Sequence, residues 1–430
     1  MKYDYNLMVI GAGSGGLVAA YIAVAVKAKV ALVEEHKMGG DCLNTGCVPS
    51  KALIRTAKIL SYAKRHKDFG IKEISCNVDF QDVMARVKDS IARIEPHDSV
   101  ERYTKLGVEC INGTARITGP HSVQVGGKTF TARRIIVATG AKPLLPNIKG
   151  LSETPYLTSD TLWDLKECPK RLVVLGGGPI GCEMAQAFAR LGAKVTIIER
   201  EKTLLSREDK DVSQLVTQAF EHENIDVLTA HTATEVKSNE LLCEHNSQTK
   251  HVLFDNILVA LGRQANVTGF GLEELSVELN PNGTIKADPI LRTNIPSIYV
   301  CGDVTGPYQF THAAAHQAWH ASINALFGPF KTFKADYRVI PHATFTDPEA
   351  ARVGLNEKEA KAQNIPYEVT TYGLDDLDRA IVESEAKGFV KVLTPPGKDK
   401  ILGVTIVGHH AADIIAEFVL AMKHGLGLNK

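Results

Sequence analysis

Residues 5–16 read YNLMVIGAGSGG, a short apolar run that leads into a glycine-rich loop. An Ala-rich segment follows, and a second apolar run at 29–33 ends at the carboxylate of Glu34. This order predicts a strand, a helix that begins at the loop, and a second strand. Such a loop lets a pyrophosphate approach the backbone at a helix N-terminus, and the terminal acid can accept hydrogen bonds from an adenosine ribose. We therefore predict a dinucleotide site whose loop residues are Gly11, Gly13 and Gly16.

The same pattern recurs in the middle of the chain. Residues 172–175 form an apolar run, the loop at 176–181 reads GGGPIG, and the run at 194–198 ends at Glu199. A second β-α-β unit, and so a second dinucleotide site, is predicted here. The acid favours a free 2′-hydroxyl and repels a 2′-phosphate, so NAD is predicted over NADP, although Arg200 would offset part of that repulsion. The predicted contacts of this loop are Gly176, Gly178, Pro179, Ile180 and Gly181.

Two cysteines, Cys42 and Cys47, follow the first dinucleotide unit and stand five positions apart. In a regular helix their Cα atoms would be roughly 8–9 Å apart, beyond the ~7 Å limit for a disulfide. A bridge needs an irregular turn, which the composition of residues 44–46 (NTG) can supply. A reversible dithiol beside a redox cofactor, able to move two electrons, is the favoured interpretation. A structural disulfide and a metal site are the alternatives; the first is rare in cytosol, and no further His or Cys follows at ligand spacing.

The overall composition limits the classes of function. The chain has 430 residues, enough for two to four compact units, with 44% hydrophobic and 23% charged residues. Lys+Arg and Asp+Glu are equal at 49 each, so nothing favours nucleic acid or an anionic membrane as a partner. Eight cysteines do not make a secreted disulfide scaffold. Because the first strand begins within ten residues, we expect no leader peptide and a cytoplasmic protein.

The chain resembles the class I pyridine nucleotide–disulfide oxidoreductases over essentially its whole length. The resemblance rests on the motifs at 11–16, 39–51, 138–140, 176–183, 262–263, 301–303 and 345–349. It implies an α/β fold with two Rossmann-like FAD- and NAD-binding domains and a C-terminal α+β dimerisation domain, in a homodimer. The implied segments are 1–146 and 271–339 for the FAD-binding and central parts, 147–270 for NAD(P), and 340–430 for an apparently incomplete dimerisation domain.

The resemblance also implies roles for individual residues. Cys47 would lie against the flavin of FAD, while Cys42 would exchange with the substrate disulfide. A helix starting after Cys47 would stabilise a thiolate through its partial positive charge. Lys51 and Glu183 would form an ion pair beside the flavin, where it would favour charge on the reduced ring. Further cofactor contacts are implied at Ser14, Gly40, Asp41, Thr139, Gly140, Gly262, Asp303 and His312.

The family's disulfide reductases also need a general acid–base His near the C-terminus, donated by the partner subunit. The histidines after residue 340 lack its His-Pro context, so we assign no base and expect the chain to continue past Lys430 or to be truncated. The first-choice substrate is dihydrolipoamide or a related disulfide, and a mercuric-reductase-like enzyme is the first rival. Glutathione disulfide is less favoured because of Glu199. A flavin-binding redox sensor without turnover is the alternative of another class.

Local patterns give four further expectations. One amphipathic helix is predicted over 80–106 and one strand over 108–117. A C-terminal helix is predicted over 411–424, following a strand-to-helix turn at His409 and His410. His312 is expected to be a hydrogen-bonded core histidine.

Overall fold

The computed structural model describes residues 2–430 and, within them, contains 22 β-strands and 11 α-helices. The strands are β1 (Tyr5–Ile10), β2 (Val30–Glu34), β3 (Val108–Asn112), β4 (Ala115–Gly119), β5 (Ser122–Val125), β6 (Lys128–Val137), β7 (Ala141–Pro143), β8 (Tyr156–Leu157), β9 (Arg171–Leu175), β10 (Lys194–Ile198), β11 (Asp226–Leu228), β12 (Thr232–Lys237), β13 (Glu240–His245), β14 (Gln248–Leu253), β15 (Asn256–Val259), β16 (Arg263–Ala265), β17 (Ile298–Val300), β18 (His342–Thr344), β19 (Glu349–Gly354), β20 (Glu368–Gly373), β21 (Phe389–Thr394) and β22 (Gly403–Gly408). The helices are α1 (Ser14–Ala25), α2 (Gly40–Asn44), α3 (Cys47–Lys64), α4 (Phe80–Ile94), α5 (Val100–Lys105), α6 (Pro179–Arg190), α7 (Lys210–His222), α8 (Thr311–Phe327), α9 (Glu357–Ala362), α10 (Asp378–Val382) and α11 (Ala411–Lys423).

The chain divides into two compact units, the first of which is described over 2–49, 88–142 and 263–336. Its main sheet runs in the order β3-β2-β1-β6-β5-β4, and β17 pairs with β6. Strands β3, β2, β1, β6 and β17 are parallel. Side chains of β1, β2 and β17 are buried on both faces of the sheet, which explains why these strands read as short apolar runs. The first predicted β-α-β unit is confirmed.

Helices α1 and α8 cover one face of this sheet. Their buried contact is built from small side chains, including Ala20 on α1 and Ala318 and Ala321 on α8. Small residues let the two helices approach each other closely. Because α1 begins at Ser14, shortly after β1 ends at Ile10, the N-terminus of α1 lies at the carboxyl end of β1. In an open parallel sheet this edge is where ligands bind.

The second unit covers 50–87, 143–262 and 337–430. One sheet runs β11-β10-β9-β15-β8 with every pairing parallel, which confirms the second predicted β-α-β unit. A three-stranded antiparallel sheet joins β12, β13 and β14. The C-terminal region forms an antiparallel sheet, β18-β19-β22-β21-β20, against which α11 packs through Ile415. Its α+β character is as predicted.

Two local predictions were wrong, because in each a single predicted element is two elements in the structure. The single helix predicted over 80–106 is two helices, because Pro96 lacks the N–H that a continuing helix needs and Ser99 then caps α5 by accepting from Arg102 N at 3.2 Å. The single strand predicted over 108–117 is broken at Gly113, whose φ of 142° turns the chain between β3 and β4. Within residues 2–430, none of the helices combines the length and the apolar character that crossing a membrane requires.

Candidate functional site

The first glycine loop lies between β1 and α1. Gly11 has a φ of 96°, and a Cβ there would lie 2.5 Å from the carbonyl oxygen of Ala138. Only glycine fits both conditions. Gly13 precedes α1 and has no side chain, so within residues 2–430 the first-turn N–H groups of Ser14 and its neighbours carry no side-chain cap. These open N–H groups at a positive helix end can receive a pyrophosphate.

Glu34 holds the same loop from the end of β2. One carboxylate oxygen accepts a hydrogen bond from Ala12 N at 2.6 Å, and the other accepts from His36 N at 2.8 Å. The segment that carries the cysteines also abuts this loop, since a Cβ on Gly40 would lie 2.6 Å from the Cα of Gly13. The structure thus brings the predicted loop, acid and Gly40 together at one edge of the sheet.

Cys42 and Cys47 lie on two separate helices. Cys42 is in α2, which ends at Asn44, and Cys47 is the first residue of α3. Between them Thr45 leaves helical geometry, with φ of −137°, and Gly46 N donates to the carbonyl of Asp41 at 2.6 Å. The irregular turn that a disulfide between these cysteines requires is therefore present.

The two thiols have unequal surroundings. Its hydrogen bond with Cys47, and then burial, raise the pKa of the Cys42 thiol well above its usual range. Cys47 is the more exposed of the two, and its Sγ lies 3.2 Å from the hydroxyl of Thr311 at the start of α8. As the first residue of α3, Cys47 also lies at the positive end of a helix.

Arg263 connects two acids of the first unit. Its guanidinium donates to Asp41, which precedes Cys42, and to the carbonyl oxygen of Ala141 at 2.6 Å, and it lies 3.4 Å from Asp303. Burial raises the pKa of Asp303, although the charge of Arg263 opposes that shift. The motif at 262–263 contains this arginine, but the predicted cofactor contacts include only Gly262.

Thr139 and Gly140 follow β6 and form a paired turn with Asn266. The Thr139 hydroxyl donates to Asn266 O at 2.7 Å, and Asn266 N donates to Gly140 O at 2.9 Å. The predicted residues at the end of β6 thus belong to the same edge of the sheet as the first loop.

The second glycine loop, in the second unit, has the same two features as the first: a helix start that no described side chain caps and a glutamate at the end of the next strand that accepts backbone N–H groups. Helix α6 begins at Pro179 after Gly178, and no side chain among the described residues caps it. Glu199 accepts from Gly177 N at 2.5 Å with one oxygen and from Glu201 N at 2.6 Å with the other. The Arg200 side chain is 77% exposed and lies 3.4 Å from Glu201. The remaining predicted loop residues are Gly176, Ile180 and Gly181.

Lys51 and Glu183 form an ion pair in the second unit, with Nζ and Oε2 2.7 Å apart. The Glu183 side chain is only 7% exposed, and its other oxygen accepts from Phe345 N at 2.9 Å. The Lys51 ammonium lies 4.5 Å from the centre of the Phe345 ring. These contacts fix the position of the Glu183 carboxylate. The hydrogen bond from Phe345 N joins residues 162 positions apart, so no local sequence pattern predicts it.

The prediction of a core histidine at His312 was wrong. The residue is exposed near the start of α8, and its ring stacks on Phe310 with centroids 5.5 Å apart and planes 8° apart. The buried residues of this Ala-rich helix begin at Ala313, one position after His312.

Comparison with known proteins gives a consistent result. Residues 5–318 match the family described as pyridine nucleotide-disulphide oxidoreductase, and residues 340–430 match the dimerisation domain of the same description. A mercuric reductase from Bacillus cereus is 36% identical over 429 residues, which are 99% of this chain and 68% of that protein. A dihydrolipoyl dehydrogenase from Chlamydia pneumoniae is 36% identical over 436 residues, or 100% of this chain and 92% of that protein.

Solved structures of similar fold include the HOCl-induced flavoprotein disulfide reductase RclA from Escherichia coli. It superposes with a TM-score of 0.86 at 27% identity, covering 98% of this chain and 94% of that one. A Cu(II) complex of the same protein gives a TM-score of 0.86 at 26% identity, covering 99% and 94%.

Proposed function

The chain belongs to the pyridine nucleotide-disulphide oxidoreductase family, which uses FAD and NAD(P)H, and on that premise we propose that its substrate is the dithiol dihydrolipoamide with its disulfide lipoamide, or a related dithiol–disulfide pair. The reaction in the reducing direction is NADH + H⁺ + RSSR → NAD⁺ + 2 RSH. The observation that carries this proposal is the Cys42–Cys47 pair, set on two helices by an irregular turn.

The first loop fits FAD. Its open N–H groups at α1, the Gly11 position that admits no Cβ, and the acid at the end of β2 suit a pyrophosphate and an adenosine ribose. When bound, FAD accepts a hydride from the nicotinamide and passes the electron pair on to a disulfide. Asp303 would receive hydrogen bonds from the ribityl–phosphate region, with Arg263 holding its carboxylate in place.

The residues of the chain divide the remaining work. In this proposal Cys47 is the thiol that lies nearer the flavin, and Cys42 is the thiol that exchanges with the substrate disulfide. Lys51, held by Glu183, would place a positive charge beside the flavin ring. His312 would contact the cofactor from the start of α8. The second loop, with Glu199, would hold NAD(H).

NADH should be preferred over NADPH. We expect kcat/KM for NADH to exceed that for NADPH by at least about tenfold, because the Glu199 carboxylate would repel a 2′-phosphate. Arg200→Ala should widen the ratio, since an exposed positive charge that offsets the repulsion is lost. Steady-state rates with both coenzymes measure this, and an equal or reversed preference would refute the assignment.

Replacing Lys51 should slow turnover. Lys51→Met removes the positive charge assigned to the flavin ring, and we expect kcat for NADH-driven disulfide reduction to fall about ten- to a hundredfold. Lys64→Met is the matched control, an exposed lysine at the end of the same helix α3. A Lys51→Met enzyme with the kcat of the control would contradict the role assigned to Lys51.

A mercuric-reductase-like activity is the second candidate, because the Bacillus cereus relative shares the same 36% identity as the dihydrolipoyl dehydrogenase. The deciding assay offers the holoenzyme dihydrolipoamide, lipoamide, glutathione disulfide and Hg²⁺ with each coenzyme. Fastest turnover with dihydrolipoamide or lipoamide supports the first proposal, and fastest turnover with Hg²⁺ supports the second. Bleaching of the flavin by NADH without turnover on any of them would instead favour the redox sensor.

We also propose a cytoplasmic homodimer with four segments. FAD-binding and central parts at 1–146 and 271–339 would flank an NAD-binding segment at 147–270. The matched dimerisation domain at 340–430 supports both the last segment and the homodimer. Scattered cysteines that form no secreted framework support the compartment.

A further inference from the structure

The segment 200–209, which joins β10 to α7, lies against the second glycine loop. It follows Glu199 directly and contains neither helix nor strand. Leu205 N donates to Gly177 O at 2.8 Å, and a Cβ on Gly177 would lie 2.5 Å from Cδ2 of the buried Leu204. Gly177 N already donates to Glu199, so both backbone polar groups of this glycine are bound from the same side of the loop. The position of the loop backbone therefore depends on where the segment lies.

The far end of the segment is hydrogen-bonded to the C-terminal region of the same unit. Lys358 contacts it twice, because its Nζ donates to Ser206 O at 2.6 Å and its backbone N donates to the Asp209 carboxylate at 3.1 Å. Asn356 Nδ2 donates to Arg207 O at 3.0 Å. The start of α9 thus holds three of the last four residues of the segment.

Glu208, the remaining residue of these four, contacts two strands of the C-terminal sheet. Its side chain is 13% exposed, and its two carboxylate oxygens lie 3.1 Å from His342 Nε2 on β18 and 2.9 Å from Arg352 Nε on β19. Burial alone would raise the pKa of Glu208, but the hydrogen bond with His342 and the charge of Arg352 outweigh burial and lower that pKa. The carboxylate is therefore charged at neutral pH and pairs with a buried arginine.

We propose that Glu208 is a positioning residue for NAD(H): it ties the segment 200–209 to the C-terminal sheet, and the segment in turn holds the second glycine loop at Gly177 and Glu199. This inference rests on the proposed coenzyme site and adds to it a residue outside the glycine motif. Glu208 acts through the loop and not by contact with the coenzyme. A displaced loop weakens the bonds that its N–H groups would donate to a pyrophosphate, so loss of the tie reduces coenzyme affinity.

Glu208→Ala tests this role, because it removes the carboxylate and leaves Gly177 and Glu199 unchanged. We expect the Kd of the oxidised holoenzyme for NAD⁺, measured by isothermal titration calorimetry, to rise about five- to twentyfold. In steady-state disulfide reduction the KM for NADH should rise by a similar factor, while kcat stays within about twofold of wild type, since the loss concerns binding and not the reacting groups.

Glu359→Ala is the matched control. Glu359 lies on α9 and pairs with Nη1 of the same Arg352 at 2.6 Å, but it is not part of the ties to the segment described above. Both variants remove one anion from a buried guanidinium, so both should lower the thermal stability of the protein. Only Glu208→Ala should weaken the binding of NAD⁺.

The outcomes separate this inference from the proposed function. A Glu208→Ala enzyme that binds NAD⁺ like wild type, or a Glu359→Ala enzyme that loses as much affinity, overturns the role of Glu208 and leaves the proposed disulfide reduction standing. Wild-type enzyme that binds neither NAD⁺ nor NADH overturns the coenzyme site and this inference with it. If Glu208→Ala does not fold, Lys358→Met, which removes the donor to Ser206 O, undergoes the same calorimetry. A Kd at least about threefold above wild type is then expected, and an unchanged Kd overturns the tie.

Discussion

Cys47→Ser should lower NADH-driven disulfide reduction by at least about 10³-fold, because a hydroxyl at this position cannot form the bridge to Cys42 that carries the electron pair. Bound FAD should remain. The first loop and Asp303, which are assigned to hold it, are untouched by the substitution. Reduction of the flavin by NADH should therefore continue in the variant, while transfer to a disulfide stops.

The measurement is a comparison of three quantities in wild type and variant: flavin content, bleaching of the flavin by NADH, and steady-state disulfide reduction. Cys76→Ser is the matched control, because Cys76 is an exposed thiol in a loop of the second unit. Its turnover should equal that of wild type. Loss of FAD from the Cys47→Ser protein would show that Cys47 is structural, and full turnover would remove the dithiol from the reaction.

The second large effect concerns stability. Lys391 on β21 has a side chain only 2% exposed, and its ammonium lies 2.8 Å from Asp209, 2.7 Å from Asp211 and 3.1 Å from Glu357. Lys391→Met leaves these carboxylates without the cation that pairs them. We expect the free energy of unfolding to fall by about 3–5 kcal/mol, the usual cost of removing one partner of a buried ion pair.

The loss should depend on pH in a defined direction. Burial alone would raise the pKa of Asp209, but hydrogen bonds from Lys391 and from backbone N–H groups outweigh it and lower that pKa; Lys391 likewise lowers the pKa of Glu357. A carboxyl with a lowered folded pKa adds stability above its unfolded pKa and loses it as pH falls. The difference between wild type and Lys391→Met should therefore be largest near neutrality and shrink on acidification.

Chemical unfolding at neutral and acidic pH measures this difference. Lys387→Met, an exposed lysine near the start of the same strand, is the control and should change the free energy of unfolding by no more than about 0.5 kcal/mol. A Lys391→Met protein as stable as that control at neutral pH would contradict this prediction. It would mean that the desolvation free energy of the buried ammonium equals the stabilisation that the three carboxylates provide.

Much of the fold was predictable because its signals are local. In both β-α-β units a glycine loop and a terminal acid mark the boundaries, and the predicted strands match those observed to within about one residue. The two errors came from single residues, Pro96 and Gly113, whose backbone restrictions outweighed a continuous apolar pattern. A proline within a helical pattern and a glycine within a strand pattern are both local signals of a break.

The missed contacts share a different cause. Thr311 meets a sulfur 264 positions earlier in the chain, and Arg263 meets an aspartate 222 positions earlier. No periodicity connects residues so far apart, because their contact depends on how whole helices pack on the sheet. Lys391 shows the same limit: a lysine within a strand predicts an exposed face, yet three carboxylates from distant segments enclose its ammonium.

Glu199 has a consequence for attempts to re-engineer coenzyme choice. Both of its oxygens already accept backbone N–H groups, one from Gly177 in the phosphate loop and one from Glu201 in the next turn. The residue proposed to discriminate between coenzymes therefore also holds the loop in place through these two hydrogen bonds. Exchanging Glu199 alone for a neutral or basic residue would remove both hydrogen bonds together with the repulsion, so an NADPH-using variant also needs a replacement for those two bonds.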